Sequence, residues 1–279
     1  MAGSPFSPPQ QQRLLGVIIP AYNEEPFVEH VIRQVLREPS VEQVVVVDDC
    51  SSDGTLAAAN RCTGDPRVTV KHHETNLGKG AAIRTGLEAI AAPLVVIQDA
   101  DLEYDPADYD KLISPIVRGR ADVVYGIRGF AGQSAYSYWF VVGNRLVTTA
   151  TNILFNCYIQ DMETGFKVMR TSLMRRLGLR GNRFDVEPEI TGRILRLGYR
   201  IYEVPIEYAA RTRAQGKKLT WLDGVKAVFV LLRIRLTTSQ ELFGKRDPYH
   251  EERLTKLSLP AFRFGVAEET RESRGTPVD

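Results

Sequence analysis

Apolar residues fall in short unbroken blocks, each closed by polar or glycine-rich residues. Leu14 to Pro20, Val41 to Val47, Val68 to Val70 and the block at 94–98 are such runs. Blocks this short without alternation predict strands buried on both faces of a parallel sheet. Between them the period changes. Residues 27–37 carry Phe27, Val31 and Val35 on one face and Glu29, Arg33 and Arg37 on the other, with Pro26 near the start; that spacing predicts an amphipathic helix. An Ala-rich helix follows from Thr55, and another over 81–91 after the loop Asn76-Leu-Gly-Lys-Gly80. Strand and helix in alternation predict an α/β fold, a mostly parallel, doubly wound sheet with helices on both faces.

The second half is less regular. The pattern predicts a helix over 110–117, a strand over 122–125 and a loop entering a strand over 161–169. It predicts a helix from Phe184-Asp-Val-Glu-Pro-Glu-Ile190 to near Gly198, and an alternating strand from Ile201 to Tyr208. Residues 136–158, with Tyr136, Tyr138, Trp139, Phe140 and Phe155, read equally well as core or as a surface-lying element. Residues 221–236 form an amphipathic helix with Trp221, Leu222, Val225, Val228, Phe229 and Leu232. The expected organisation is a disordered leader over 1–12, one domain over 13–220, an amphipathic membrane-surface helix within 221–243 and a flexible charged tail over 244–279.

Composition adds little: 279 residues, 43% hydrophobic, 25% charged and a net charge of +2 allow a full core and give no global electrostatic signature. Three cysteines without a metal-binding spacing predict reduced thiols and a cytosolic chain, and four histidines form no zinc pattern. No run reaches the roughly 18 apolar residues that a membrane span needs.

Chemistry concentrates where apolar blocks end. Leu94-Val-Val-Ile-Gln-Asp99-Ala-Asp101-Leu-Glu103 delivers carboxylates from the end of a strand, the edge at which such sheets bind ligands. Asp-x-Asp suits Mg²⁺ or Mn²⁺ held against a diphosphate, because the ion takes few protein ligands and shares the rest with phosphate oxygens. Asp48 and Asp49 can accept from a base or ribose, or cap a helix. The glycines of 76–80, with Lys79 and Arg84, offer backbone donors and cations for an anion, or are an ordinary turn. Arg211-Thr-Arg-Ala-Gln-Gly-Lys-Lys218 puts four cations in eight residues beside the amphipathic helix, a solvated run or a phosphate site at a membrane surface.

Four ordered stretches, Pro20-Ala-Tyr-Asn-Glu24, Val47-Asp-Asp-Cys-Ser-Ser-Asp-Gly54, Asn76-Leu-Gly-Lys-Gly80 and Asp99-Ala-Asp101, together resemble the family 2 glycosyltransferases. Asp161-x-x-Thr-Gly-Phe-Lys167, Glu203-Val-Pro-Ile206 and the basic loop look like the dolichol-phosphate mannosyltransferase and polyprenyl-phosphate glycosyltransferase branch. The resemblance implies a glycosyltransferase-A (Rossmann-like) fold for the domain over 13–220. It implies an inverting transferase that moves a sugar from a nucleotide-diphosphate sugar, GDP-mannose or a UDP-hexose, to a polyprenyl phosphate at the cytoplasmic face of a membrane. Pro20, Ala21, Tyr22, Asn23, Glu24, Asp48, Asp49, Lys79, Arg84, Gln98, Asp99 and Ala100 are then expected at the nucleotide sugar. Asp99, Asp101 and Glu103 are expected on Mg²⁺ or Mn²⁺; position 103 is usually Gln in those mannosyltransferases, which leaves the donor sugar open. Arg145, Arg211, Arg213, Lys217 and Lys218 are expected at the acceptor phosphate, and Asp101, Asp161, Arg211 and Lys218 in catalysis. A membrane protein is a possible partner, and nucleic acid is not expected. The alternatives are a soluble transferase on a hydroxyl acceptor, with Asp161 or Glu187 as base, and a non-catalytic nucleotide-binding protein.

Overall fold

The structure is a computed structural model and describes residues 13–129, 138–183, 185–209 and 221–244. The expected leader and tail, the segment Tyr136 and the whole basic loop 211–218 lie outside the described residues.

Seven strands form one sheet: β1 (Leu15–Ala21), β2 (Val41–Asp48), β3 (Val68–His72), β4 (Leu94–Ile97), β5 (Val123–Arg128), β6 (Lys167–Arg170) and β7 (Ile201–Ile206), in the order β3-β2-β1-β4-β6-β5-β7. β1, β2, β3 and β4 pair in parallel, as do β5 and β7. β6 runs antiparallel between β4 and β5, so the sheet is mixed. Unbroken apolar blocks are buried on both faces, and neighbouring residues serve opposite layers. Leu15, Val17 and Ile19 of β1 join one core, while Ile18 joins the other. Val44 and Val46 of β2 divide from Val45 and Val47 in the same way, as do Leu94 and Val96 from Val95 and Ile97 of β4.

The first core is closed by α1 (Val28–Arg37), α2 (Thr55–Asn60) and α4 (Tyr109–Val117), and the second by α3 (Lys79–Ala89), α6 (Thr171–Arg176) and α7 (Val186–Arg196). On α1, Val28, Val31, Ile32 and Val35 face inward, and Glu29 and Arg33 pair outside at 2.8 Å. α5 (Tyr138–Phe155) and α8 (Trp221–Leu236) pack together through Val147, Ala227 and Leu231, with Ile159 and Met162 beneath. Of the 136–158 segment, the side chains of Trp139 and Phe140 lie outside the described residues, and those of α5 that are described are of both kinds. Val147, Thr148 and Thr151 of α5 are buried, while Leu146 and Ile153 are 65% and 76% exposed. α8 is likewise two-sided. Ala227, Leu231 and Ile234 are buried; Val225, Phe229, Leu232 and Leu236 make an exposed stripe at helical spacing. A short α9 (Ser239–Phe243) follows, opened by a capping box between Thr238 and Glu241 and anchored by buried Leu242. No described helix is long and apolar enough to cross a membrane.

Candidate functional site

The C-terminal ends of β1, β2 and β4 open side by side, and three loops meet there. The first two are stitched together. Asn23, at φ 56°, accepts from the Ser52 N–H at 2.8 Å, and its own N–H donates to Ser51 Oγ at 2.9 Å. The Glu24 N–H donates to Thr55 Oγ1, and the Asp49 N–H to the Ala21 carbonyl. Loop 20–25 is thus fixed as a floor, with Tyr22 40% exposed on it.

Asp48 and Asp49 are both buried, and each faces a histidine of β3 or the residue after it. His72 Nδ1 lies 2.8 Å from Asp48 Oδ2, and His73 Nδ1 lies 2.7 Å from Asp49 Oδ1. The parallel register pairs Asp48 with His72 directly, so two adjacent carboxylates on one strand meet two adjacent imidazoles on the next. Asp49 also takes the Leu77 and Gly78 N–H groups at 2.9 and 2.6 Å. The Gly80 N–H donates to the Asn182 carbonyl at 2.8 Å. The Leu77 and Gly78 donors, expected to face an external anion, hold Asp49 in this structure. Gly78 has φ 97°, and a Cβ there would come within 2.4 Å of the Asn182 carbonyl, so only glycine lets the loop dock on 181–183. Arg84 also turns to that segment, donating to the Gly181 carbonyl and, at 2.5 Å, to Asn182 Oδ1. These bonds brace α3 against the 181–182 segment. Gln98 is fully buried, donating to the Asp99 and Tyr104 carbonyls and accepting from Tyr109 Oη at 2.7 Å; it shapes the strand end from behind, and Ala100 is buried beside it.

Docking the loop aims Lys79 at the carboxylates. Its Nζ lies 2.7 Å from Asp99 Oδ1 and 3.0 Å from Glu187 Oε1. Glu187 Oε2 lies 2.5 Å from Lys167 Nζ. Burial alone would lower the Lys79 ammonium, but Asp99 and Glu187 outweigh it and hold its pKa well above the ordinary lysine value. Burial pushes Glu187 up, and Lys167 and Lys79 more than reverse that, leaving it below the ordinary carboxylate value. A Cβ on Gly165 would come within 2.9 Å of Asp99 Oδ2; the glycine keeps room at that oxygen.

The three strand-end carboxylates meet different partners in this structure. Asp101 Oδ1 accepts from the Glu103 N–H at 3.2 Å. Leu102, at φ 61°, reverses the chain, and Glu103 Oε2 accepts from Tyr208 Oη at 2.5 Å. Glu103 thereby lines a separate cavity of about 270 Å³ with His30, Asp105 and Glu207. Among the described residues no three His, Cys, Asp or Glu side chains are gathered to hold a metal ion. Asp99 and Asp101 remain a hard-oxygen pair suited to Mg²⁺ or Mn²⁺ shared with a diphosphate. The i, i+2 spacing of the sequence continued to 103 on paper, but the left-handed residue breaks it.

Asp161 is buried rather than poised. Arg128 grips it with two bonds of 2.7 Å, and Asn144 Nδ2 adds a third at 3.1 Å. Next to it, burial raises the Glu163 carboxyl to about 7, and Glu163 Oε1 has no hydrogen-bond partner. Arg145 is exposed on α5. Residues Arg211, Arg213, Lys217 and Lys218 lie outside the described residues. Sequence reasoning missed His72, His73, Lys167 and Asn182. Only the pairing of β2 with β3 exposes the first two.

A family model for Glycosyl transferase family 2 matches residues 16–178, which spans β1 to α6 and includes Asp48, Asp49, Lys79, Asp99, Asp101 and Asp161, while Asn182, Glu187 and Tyr208 lie beyond it. The chain belongs to glycosyl transferase family 2. It is a glycosyltransferase, and its mixed sheet is the glycosyltransferase-A fold. Among curated relatives it is 30% identical over 227 residues to undecaprenyl-phosphate mannosyltransferase of Micrococcus luteus, covering 76% of this chain and 90% of that one. It is 30% identical over 212 residues to polyprenol monophosphomannose synthase of Mycolicibacterium smegmatis, covering 72% and 78%. It is 28% identical to a UDP-N-acetylglucosamine–dolichyl-phosphate N-acetylglucosaminyltransferase of Methanococcus voltae, covering 80% and 97%. Glucosyl-3-phosphoglycerate synthase of Mycobacterium tuberculosis, solved with UDP, superposes with a TM-score of 0.63 at 24% identity, covering 81% and 82%; the same enzyme has been solved with Mn²⁺, UDP-glucose and phosphoglyceric acid.

Proposed function

We propose that this family 2 glycosyltransferase transfers a sugar from a nucleotide-diphosphate sugar to a polyprenyl phosphate, at a membrane surface and with inversion at the anomeric carbon. The observation that carries the reading is the state of the two acidic side chains expected as base. Asp161 is clamped by Arg128 and Asn144, and Glu187 by Lys79 and Lys167. A hydroxyl acceptor needs a base within reach. A phosphate is already anionic near neutral pH and needs positioning instead. The relatives named for polyprenyl-phosphate substrates support the same class of acceptor.

In this reading the nucleotide lies over loop 20–25, with Tyr22 beneath the base. Asp48 Oδ1, a buried acceptor without a donor, takes a nucleotide N–H or hydroxyl. Asp99 and Asp101 hold Mg²⁺ or Mn²⁺, which when bound neutralises charge on the leaving diphosphate. Lys79 supplies a cation to the same diphosphate. An acceptor phosphate oxygen attacks the anomeric carbon, the bond to the diphosphate oxygen breaks, and the nucleoside diphosphate leaves. Arg145, Arg211, Arg213, Lys217 and Lys218 orient the acceptor phosphate. The exposed stripe of Val225, Phe229, Leu232 and Leu236 on α8, with Leu146 and Ile153 on α5, rests on the lipid surface.

A second reading has one observation in its favour. Glu163, raised to about 7 by burial, has the protonation behaviour of a general base and would serve a hydroxyl acceptor. Incubating the protein with a panel of nucleotide sugars and vesicles carrying polyprenyl phosphate, followed by mass spectrometry of the lipid, decides between them. A glycosyl-phosphoryl lipid is expected. Transfer only to added soluble glycans or sugars would favour the second reading.

A further inference from the structure

Lys79 stands against the very carboxylate assigned above to the divalent cation. Its Nζ is 2.7 Å from Asp99 Oδ1. A divalent ion ligated by that oxygen and an ammonium in contact with it are like charges within about 4–6 Å, an arrangement that disfavours one or the other. The backbone around Lys79 cannot retreat to relieve this. The Leu77 and Gly78 N–H groups are held by buried Asp49, and the Gly80 N–H by the Asn182 carbonyl. The side chain can move, and it has a second anion within reach, Glu187 Oε1 at 3.0 Å. Glu187 itself is fixed, because its other oxygen pairs with Lys167, which is fully buried with Nζ 5.1 Å from the centre of the Tyr125 ring. Lys79 is therefore a cation on a pinned base, with one anion that stays in place and one that the reaction needs.

We propose that Lys79 is an exchangeable counter-ion: it neutralises Asp99 while the donor site is empty and yields that carboxylate to the divalent cation when a diphosphate arrives to take the ammonium. The inference rests on the reading of Asp99 as a metal ligand. Glu187 becomes a positioning residue, which keeps the released ammonium beside the cleft instead of letting it swing into solvent. Metal and diphosphate then help one another beyond their direct contact, since each removes the obstacle to the other, and the coupling is reciprocal. An ion alone has to displace Lys79 with no new partner for it.

The test is calorimetric titration of the full chain with Mn²⁺, with and without UDP or GDP, for the unaltered protein, Lys79→Met, Lys79→Gln and Lys79→Arg, each checked by thermal melting. Lys79→Met and Lys79→Gln are expected to bind Mn²⁺ alone about tenfold more tightly than the unaltered protein, as loss of one competing charged contact implies. They should also bind the diphosphate more weakly in the presence of Mn²⁺. Lys79→Arg keeps the cation and should stay within about threefold of the unaltered protein for Mn²⁺ alone. Arg183→Gln removes an exposed cation whose side chain lies next to Gly78, and controls for general loss of positive charge. If both neutral variants bind Mn²⁺ alone no more tightly, or if Arg183→Gln tightens it equally, the counter-ion role is wrong while the metal reading survives. If no form binds Mn²⁺ even with nucleotide present, the metal reading falls and the inference falls with it.

Discussion

We propose that Asp161 is a structural carboxylate and not a base, and its substitution separates the two roles most sharply. Arg128 and Asp161 are 5% and 1% exposed at their side chains and share two bonds of 2.7 Å. The Arg128 N–H and Asn144 Nδ2 fill the remaining positions at 3.3 and 3.1 Å. Asp161→Asn removes the anion and breaks a buried, doubly bonded charge pair. Breaking one side of such a pair costs about 3–5 kcal/mol. For a domain of this size that lowers Tm by roughly 6–20 °C. Urea denaturation of the variant should show the midpoint moving with the slope unchanged. Replacing both partners, as in Arg128→Met with Asp161→Leu, should recover part of the loss, because neither charge is then stranded. Activity of Asp161→Asn should fall in proportion to the folded fraction and return when the variant is assayed well below its melting point. An Asp161→Asn protein with unchanged midpoint and turnover reduced by orders of magnitude would refute the reasoning and restore Asp161 as a base.

Three other outcomes are expected. Glu163 has its folded pKa raised to about 7 from an ordinary 4.5, so the folded state holds a proton the unfolded chain has lost, and stability falls as pH rises through that window; thermal melts of Glu163→Gln should gain on the unaltered protein from pH 5 to pH 8, and a constant difference would show that the carboxyl is not desolvated. Phe229→Ser with Leu236→Ser removes the two most exposed apolar side chains of the α8 stripe and should weaken flotation with anionic vesicles by roughly tenfold or more, with the melt unchanged; undiminished flotation would move the membrane contact elsewhere. Arg211→Ala and Lys218→Ala should weaken use of the acceptor by about ten- to a hundredfold, as loss of a charged phosphate contact of ~1.5–3 kcal/mol implies, with donor affinity by calorimetry nearly unchanged; the reverse pattern would make that loop a lid over the diphosphate.

The middle of the sheet was legible because β1, β2 and β4 are buried on both sides. Unbroken runs such as Val44 to Val47 have one reading in an α/β chain, and the structure divides them between two cores residue by residue. The antiparallel β6 was not legible as such. Lys167–Arg170 follows a loop, and nothing in four residues states which neighbour it pairs with. The Asp-x-Asp pair was legible from the abrupt end of β4, but Glu103 was not, because a single left-handed leucine turns it toward Tyr208. The glycine loop was legible as a cluster of backbone donors, but their bonds to Asp49 were not. Local sequence shows the donors of 77–80, whereas Asp49 reaches them across 28 positions of the chain. Charged side chains carried the least information alone. Lys79, Lys167 and Glu187 acquire meaning only as a chain of alternating charge, assembled from α3, β6 and α7.

The central claim is that the acceptor brings its own negative charge. The most direct measurement compares two acceptors of identical chain length in the same vesicles, a polyprenyl phosphate and the corresponding free polyprenol, with one labelled nucleotide sugar and Mn²⁺. The account predicts label in the lipid phase only with the phosphate, as an acid-labile glycosyl phosphate of inverted anomeric configuration. Equal or preferential labelling of the free alcohol, and loss of that labelling in Glu163→Gln, would contradict it and identify a base-assisted transferase instead.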